Sequence, residues 1–352
     1  PRAAPPASPP AMGVCGSSSE QQAPGLVRIL NPGASRFKHG DGKGVGGCAM
    51  TLNGDILYLA GNKGLAVLDV SNPRAPQRIG PVIHTGAISR DSGVALVIHE
   101  NADLLYVIGG DGIAVMDLSE AAGRTPRRIG DVVDPCVLEP TAGVAAVVTR
   151  SRSYMYIAGG CGLAVLDLTD PRRPSLAGEA YENTGVSGAC EGMAMGICEE
   201  EGIIYLAGSR GLAVFALEDP VIPVKITSPI STGVLVSHCG TGLAVDGDSL
   251  YVMGGLGLAV LDITDKRKPL QMGTIQSGCL AAETGSGAIV LDGSSQNLLV
   301  AGGGGLQVFK VTSASPQPLP ACETLKAGCL SYGGACAICL RGDVVFVAGG
   351  AG

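Results

Sequence analysis

The chain predicts an all-β fold, a seven-bladed β-propeller of four-stranded blades closed by pairing N- and C-terminal strands in one blade. Three observations carry that expectation. Tyr58, Tyr106, Tyr156, Tyr205, Tyr251, Leu299 and Phe346 mark a repeat of 46–50 residues, a period that belongs to propellers and solenoids. Each repeat holds an apolar run ending in small residues, then a turn and a second run, seen first as Leu57-Tyr58-Leu59-Ala60-Gly61 followed by Gly64-Leu65-Ala66-Val67-Leu68-Asp69. The last copy stops after Val344-Val345-Phe346-Val347-Ala348-Gly349-Gly350, and Gly25-Leu26-Val27-Arg28-Ile29-Leu30 reads as its missing half. The two ends are therefore expected to share a blade.

Four strands account for each repeat. The first carries a small-x-Ala element, with Ala49, Ala95, Ala145, Ala194, Ala244, Ala288 and Ala337 in register. Small residues suit innermost strands, which crowd around the axis. The second strand bears the aromatic and is apolar throughout, as expected of a strand covered on both faces. The third is Gly-Leu-Ala-Val-Leu-Asp, and its recurring Asp69, Asp117, Asp167 and Asp262 stand before turns such as Ser71-Asn72-Pro73, where a carboxylate hydrogen-bonds turn amides. The fourth, for example Gln77 to Ile83, is an outer edge strand that tolerates Pro81 because one side is unpaired. Glycine clusters such as Gly159-Gly160-Cys161-Gly162 lead into strands. They read as hairpin turns and not as phosphate loops, which must open a helix.

In these residues the chain resembles the LVIVD-repeat β-propellers, named for the third-strand motif present here as Leu-Ala-Val-Leu-Asp. The resemblance covers residues 25–352, with departures at Leu306-Gln307-Val308-Phe309-Lys310 and Arg28-Ile29-Leu30, where the Asp position is lost. It implies an extracytoplasmic or surface protein and adds no reaction. The kelch Trp and the WD signature of other propellers are absent.

One repeat domain at residues 25–352 is expected to follow a Pro/Ser-rich arm at residues 1–24, which lacks apolar periodicity and reads as an extended linker. A net charge of −7, a pI near 5.1 and 3% aromatic residues provide neither the basic stripe nor the stacking platform of a nucleic acid binder. No apolar run approaches the ~18 residues needed to span a bilayer.

Twelve cysteines lie mostly outside the repeated core pattern, which points to disulfides in an oxidising compartment. Cys161, on a hairpin, is expected to bond Cys136 or Cys190 on the flanking loops. Cys48 aligns with Cys336, in blades that closure would make neighbours. Cys336 and Cys339 are three apart on one strand and point to opposite faces, which argues against a shared metal. His39, His84 and His238 fall in loops on one face and are the candidate metal ligands, yet no carboxylate recurs beside them, and no metal or cofactor is expected. The hairpin-turn residues Lys63, Asp111, Cys161, Arg210, Leu256, Gly304 and Ala351 mix charged and apolar groups, so they form no symmetric ring of ligands. No Ser or Cys sits on a strand-to-helix elbow, and no catalytic residue is assigned.

The expected function is that of an extracellular or cell-surface structural or adhesive propeller, a subunit of an appendage or filament. Its partners would be other protein chains, copies of itself included. The alternative is an enzyme, or a carbohydrate- or small-ligand-binding propeller, with its site on the loops over the central channel and drawing on His39, His84, His238, Asp91 and Glu283.

Overall fold

The structure is a computed structural model and describes residues 47–350, apart from 152, 187–191, 238, 281–286, 313–314 and 331–333. Runs of Val, Ile, Leu and Ala interrupted by two-residue turns fold into antiparallel sheets ordered from axis to rim. Blade 1 comprises Ala49–Asn53, Ile56–Gly61, Gly64–Asp69 and Gln77–Ile83, hydrogen-bonded in that order. The same order recurs in blade 2 (residues 95–133), blade 3 (145–182), blade 4 (193–225), blade 5 (242–275) and blade 6 (288–320). In blade 3 the outer strand is broken into Ser175–Leu176 and Tyr181–Glu182, both paired to Gly162–Asp167.

The expectation of seven blades is corrected here. Among the described residues there are six four-stranded blades, and the seventh repeat forms the two-stranded sheet Cys336–Arg341 and Val344–Gly349. The segment expected to pair with it, Leu26 to Leu30, lies outside the described residues. The hairpin sits between blades 6 and 1, where its first strand touches Ala288–Asp292 on one side and Ala49–Asn53 on the other. Leu299, Leu306, Cys336 and Val345 pack together on the blade 6 side. Leu57, Leu59, Phe346 and Ala348 do so on the blade 1 side. Arg341 adds polar ties to blade 1, donating to the Val70 carbonyl at 2.8 Å and pairing with Asp55.

Inner-strand register follows the repeat: Ala49, Ala95, Ala145, Ala194, Ala288 and Ala337 each occupy one equivalent position, opposite Ala60, Ile108, Ala158, Ala207, Ala301 and Ala348. Blade 5 departs from expectation. There Gly242 takes the position, opposite Met253, and Ala244 stands two residues further on, opposite Tyr251. Gly242 and Ala244 are both small and share a face, so the alternation of a strand could not choose between them.

The second strands are buried along their whole length in blades 1, 2 and 4, as strands covered on both faces must be. Their tyrosines bring a hydroxyl into that apolar layer, and a buried hydroxyl needs a partner. In blades 1 to 4 it lies in the next blade. Tyr58 donates to the Gly123 carbonyl at 2.8 Å, Tyr106 to Pro171 at 2.8 Å, Tyr156 to Pro220 at 2.9 Å and Tyr205 to Lys266 at 2.8 Å. The series cannot continue through Leu299 or Phe346, which have no hydroxyl. Burial pushes the phenols of Tyr58 and Tyr156 up to about 12. In blade 6, Gln307 replaces the motif's alanine and is buried, and it accepts a hydrogen bond from the equally buried Ser277 hydroxyl. The motif's departure there is thus compensated by a polar partner in the preceding loop.

Two outcomes follow. Tyr58→Phe leaves the buried Gly123 carbonyl without its donor and should cost about 1–2 kcal/mol, read as a lower urea midpoint with unchanged slope. Because folded Tyr58 and Tyr156 keep their protons up to about pH 12, while an unfolded tyrosine loses its proton near ~10, their contribution is complete below about pH 10 and is lost as pH rises towards 12. Alkaline unfolding monitored with phenolate absorbance should therefore begin above pH ~10. A transition completed below that pH would contradict the assignment.

Candidate functional site

At one end of the axis the inner strands begin with Gly47-Cys48, Gly93-Val94, Gly143-Val144, Gly192-Met193 and Gly240-Thr241. The first residue of several pairs bonds across to the next blade: Gly47 N–H donates to Ser92 at 2.7 Å, Gly93 N–H to Ala142 at 2.8 Å and Gly192 N–H to Cys239 at 3.3 Å. A Cβ on Gly47 would lie 2.4 Å from the Val94 nitrogen, and one on Gly93 2.5 Å from that of Val144. Backbone therefore meets backbone, and only glycine fits at these positions. The second residues of the pairs, with the hairpin's Cys336, surround a cavity of about 110 Å³ lined by Cys48, Val94, Val144, Met193, Thr241 and Cys336 among others. At ~30 Å³ per water it holds a few waters or one small molecule.

This cavity is lined by aliphatic side chains and glycine backbone with the two thiols of Cys48 and Cys336 and the hydroxyls of Thr141 and Thr241. Desolvation pushes the Cys48 thiol up to about 12 and raises that of Cys336 well above its ordinary value. Both stay protonated near neutral pH and are poor nucleophiles.

Beside the cavity, each inter-blade loop places a buried small residue under the hairpin of the blade it enters. The carbonyls of Ala87, Val137, Val186, Val234 and Cys279 accept the turn amides of Asp111, Cys161, Arg210, Leu256 and Gly304 at 3.0–3.1 Å. Cys279 thus occupies the same buried position as alanine and valine. Cys329 matches it, since a Cβ on Gly349 would meet its carbonyl at 2.5 Å as one on Gly302 meets that of Cys279. These two belong to the repeated core pattern and stand apart from the expectation that the cysteines lie mostly outside it.

Of the cysteines expected to pair, Cys48, Cys136, Cys161 and Cys336 form no disulfide in the structure, and Cys190 lies outside the described residues. Cys161 is exposed and turned towards Glu139, donating to its carboxylate at 3.1 Å instead of meeting Cys136. That hydrogen bond, with partial desolvation, raises the Cys161 thiol to about 11. Cys336 and Cys339 do face opposite ways, one packed with Leu299 and the other with Phe346.

Of the expected loop residues, His39, His238 and Glu283 lie outside the described residues, while His84 is exposed and Asp91 partly so. His99 is buried, edge-on to Tyr106 with ring centroids 6.4 Å apart. Among the described residues no group of three or more His, Cys, Asp or Glu could hold a metal ion. The recurring aspartates cap turns: Asp69, Asp117, Asp167 and Asp262 accept the amides of Ser71, Ser119, Thr169 and Thr264 at 2.7–2.9 Å. Hydrogen bonds from Ser71, joined by Arg124, hold the Asp69 carboxyl down at about 2. Arg124 and Arg172, each in the following blade, pair with Asp69 at 2.7 Å and Asp117 at 3.0 Å.

A second feature, missed in the sequence, lies on the rim. Leu176, Ile222, Val224, Leu270, Met272 and Leu319 are exposed apolar side chains on the outer strands or turns of blades 3 to 6, while exposed Leu256 lies apart from them on the blade 5 hairpin turn. The outer strands of blades 1 and 2 instead carry Arg78, Arg127 and Arg128. The signal was this contrast between outer strands, which the search for a shared repeat averages away.

The LVIVD repeat occurs in three places in the chain, at residues 47–82, 142–181 and 241–276, and these repeats build a β-propeller. No curated protein matches the sequence. The fold is similar to that of a periplasmic gluconolactonase from Pseudomonas aeruginosa, with a TM-score of 0.57, 14% identity, and 82% of this chain and 86% of that one covered. It is also similar to a candidate 6-phosphogluconolactonase from Bacteroides fragilis (TM-score 0.61, 10% identity, 85% and 86% covered). A catalytically inactive virginiamycin B lyase from Staphylococcus aureus, solved with quinupristin, is a third (TM-score 0.57, 11% identity, 88% and 94% covered). At these identities the likeness is one of fold. No helix among the described residues is long and apolar enough to cross a membrane.

Removing the negative charge beside Cys161 gives a direct check of this face. Glu139→Gln should lower the Cys161 thiol towards its ordinary range and speed its alkylation by iodoacetamide at pH 8, read by peptide mass spectrometry. An unchanged rate would contradict the role given to Glu139.

Proposed function

We propose that this protein is an extracellular or cell-surface propeller that works by protein contacts, as a structural or adhesive subunit. The observation that carries the reading is the apolar arc on the rim of blades 3 to 6, because exposed apolar side chains gathered on one side of a molecule mark interaction surfaces. In an oxidising compartment the exposed Cys161 would bond Cys136 or Cys190, contributing on the order of 2–4 kcal/mol.

Native-size analysis and non-reducing peptide mapping of material from its source test this reading. A particle larger than the 35.2 kDa chain, with Cys161 in a disulfide, is the expected result. A monomer with Cys161 as a free thiol would overturn it.

A second reading rests on the axial cavity and on the lactonase and lyase neighbours, namely a small-ligand-binding or enzymatic propeller with its site at the channel mouth. It requires turnover or ligand binding that is lost when Thr241 and Met193 are replaced by bulkier side chains.

A further inference from the structure

The narrow end of the axis brings sulfur together. Cys48 and Cys336 hold the same position in adjoining inner strands, directly before Ala49 and Ala337, and both line the axial cavity of about 110 Å³. The strands they lead into, Ala49–Asn53 and Cys336–Arg341, touch. Elsewhere round the ring the position holds Val94, Val144, Met193 and Thr241, so the two thiols fall side by side where the hairpin meets blade 1. Cys48 packs between blade 1 and the hairpin, and Cys336 between the hairpin and blade 6. One strand tip separates them, and an ion in the cavity in front of that tip reaches both.

Turn geometry adds main-chain donors. Asn53 pairs with Ile56 and Arg341 with Val344 across two-residue turns, and the pair that closes such a turn exchanges both of its hydrogen bonds. Stepping back by twos, Ala49 and Ala337 also bond outward to the second strand. Cys48 and Cys336 therefore turn their N–H and C=O groups towards the axis, where no further strand pairs with them. Amides so directed favour the charged form of a nearby thiolate.

The donor set selects the occupant. Thiolate sulfur favours soft ions, and a zinc site would need four ligands. Here the next thiol, Cys329, is turned to the Val347 carbonyl at 3.6 Å, and Met193 packs among side chains of blades 3 and 4. Among the described residues no third His, Cys, Asp or Glu completes a larger set. Copper(I), a soft ion that accepts two thiolates in a line, fits what is present.

We propose that the axial cavity binds one copper(I) ion between the sulfurs of Cys48 and Cys336. Two S–H bonds break, two Cu–S bonds form and both protons leave to solvent, with no change in oxidation state. Without the ion the cysteines stay protonated and pack as small apolar side chains. Cys48 is half-buried, which leaves the ion a way in. The inference rests on the second reading, of a ligand-binding propeller, and names the ligand of its cavity.

The test is a titration of the full chain with copper(I), supplied as its acetonitrile complex under nitrogen with ascorbate, in competition with bathocuproine disulfonate. Tight binding of one ion per chain is expected, read as loss of the probe's absorbance. Cys136→Ser combined with Cys161→Ser removes the exposed thiols and should leave that binding unchanged. Cys48→Val and Cys336→Val install the residue that blades 2 and 3 carry at this position, so packing is kept, and each should abolish it, with circular dichroism confirming the fold. X-ray absorption of the loaded chain should show two sulfur neighbours. Tight binding that survives the paired valine variant overturns the site, as does displacement of the copper by zinc(II), or a purified chain in which Cys48 and Cys336 are already joined to each other. A chain that takes up no copper(I) overturns it as well, and turnover or organic-ligand binding lost on enlarging Thr241 and Met193 would then still support the second reading.

Discussion

Crowding at the axis governs this molecule. Inner strands from six blades and the closing hairpin converge on one channel, and at its narrow end the backbones of adjacent blades meet at distances that leave no space for a Cβ on Gly47 or Gly93. The hydrogen bonds made across that contact link blade 1 to 2, blade 2 to 3 and blade 4 to 5 through atoms every residue possesses, so those links survive wide variation in the rest of the repeat. Small residues along the inner strands and apolar second strands follow from the same geometry. Near the axis there is room for little else, and further out each sheet is covered on both faces.

A second set of ties acts at larger radius. Tyrosine hydroxyls cross from blades 1 to 4 into the turns of their successors, and near the same turns Arg124 and Arg172 reach back to aspartates of the preceding blade. Exposed ion pairs of this kind contribute little individually, whereas the buried hydroxyl bonds satisfy groups that would otherwise be stranded. The tyrosine series cannot extend to Leu299 or Phe346, and the junctions around the hairpin rely on apolar packing and on Arg341. Cys48, Cys329 and Cys336 also gather there, and burial keeps Cys48 and Cys336 protonated, so they behave as small apolar side chains.

Strand identity and order were legible because the repeat carries them in alternation, glycine turns and a fixed aromatic. The number of complete blades was not. Seven copies of one strand pair imply seven blades, whereas only six copies are followed by an outer strand in the described structure. Register in blade 5 was missed because Gly242 and Ala244 are both small and lie on one face. The turn role of Asp69 and its equivalents was legible, since a carboxylate two residues before a turn amide acts locally. Cysteine roles were harder to read: whether Cys279 is a disulfide partner or a substitute for valine depends on the loop that packs over it, and no local pattern encodes that. The rim arc is not encoded in any single repeat, because exposure depends on the whole ring.

The functional reading depends on the ring behaving as one rigid body that presents its rim, with the two-stranded hairpin as an integral part. Native-state amide hydrogen exchange tests this most directly. The amides of Cys336–Arg341 should exchange through the same global opening as those of Ala145–Val148 and Met193–Cys198, with matching dependence on denaturant. Hairpin amides that exchange through a separate, low-energy local opening while the blades stay protected would contradict closure of the ring by the hairpin.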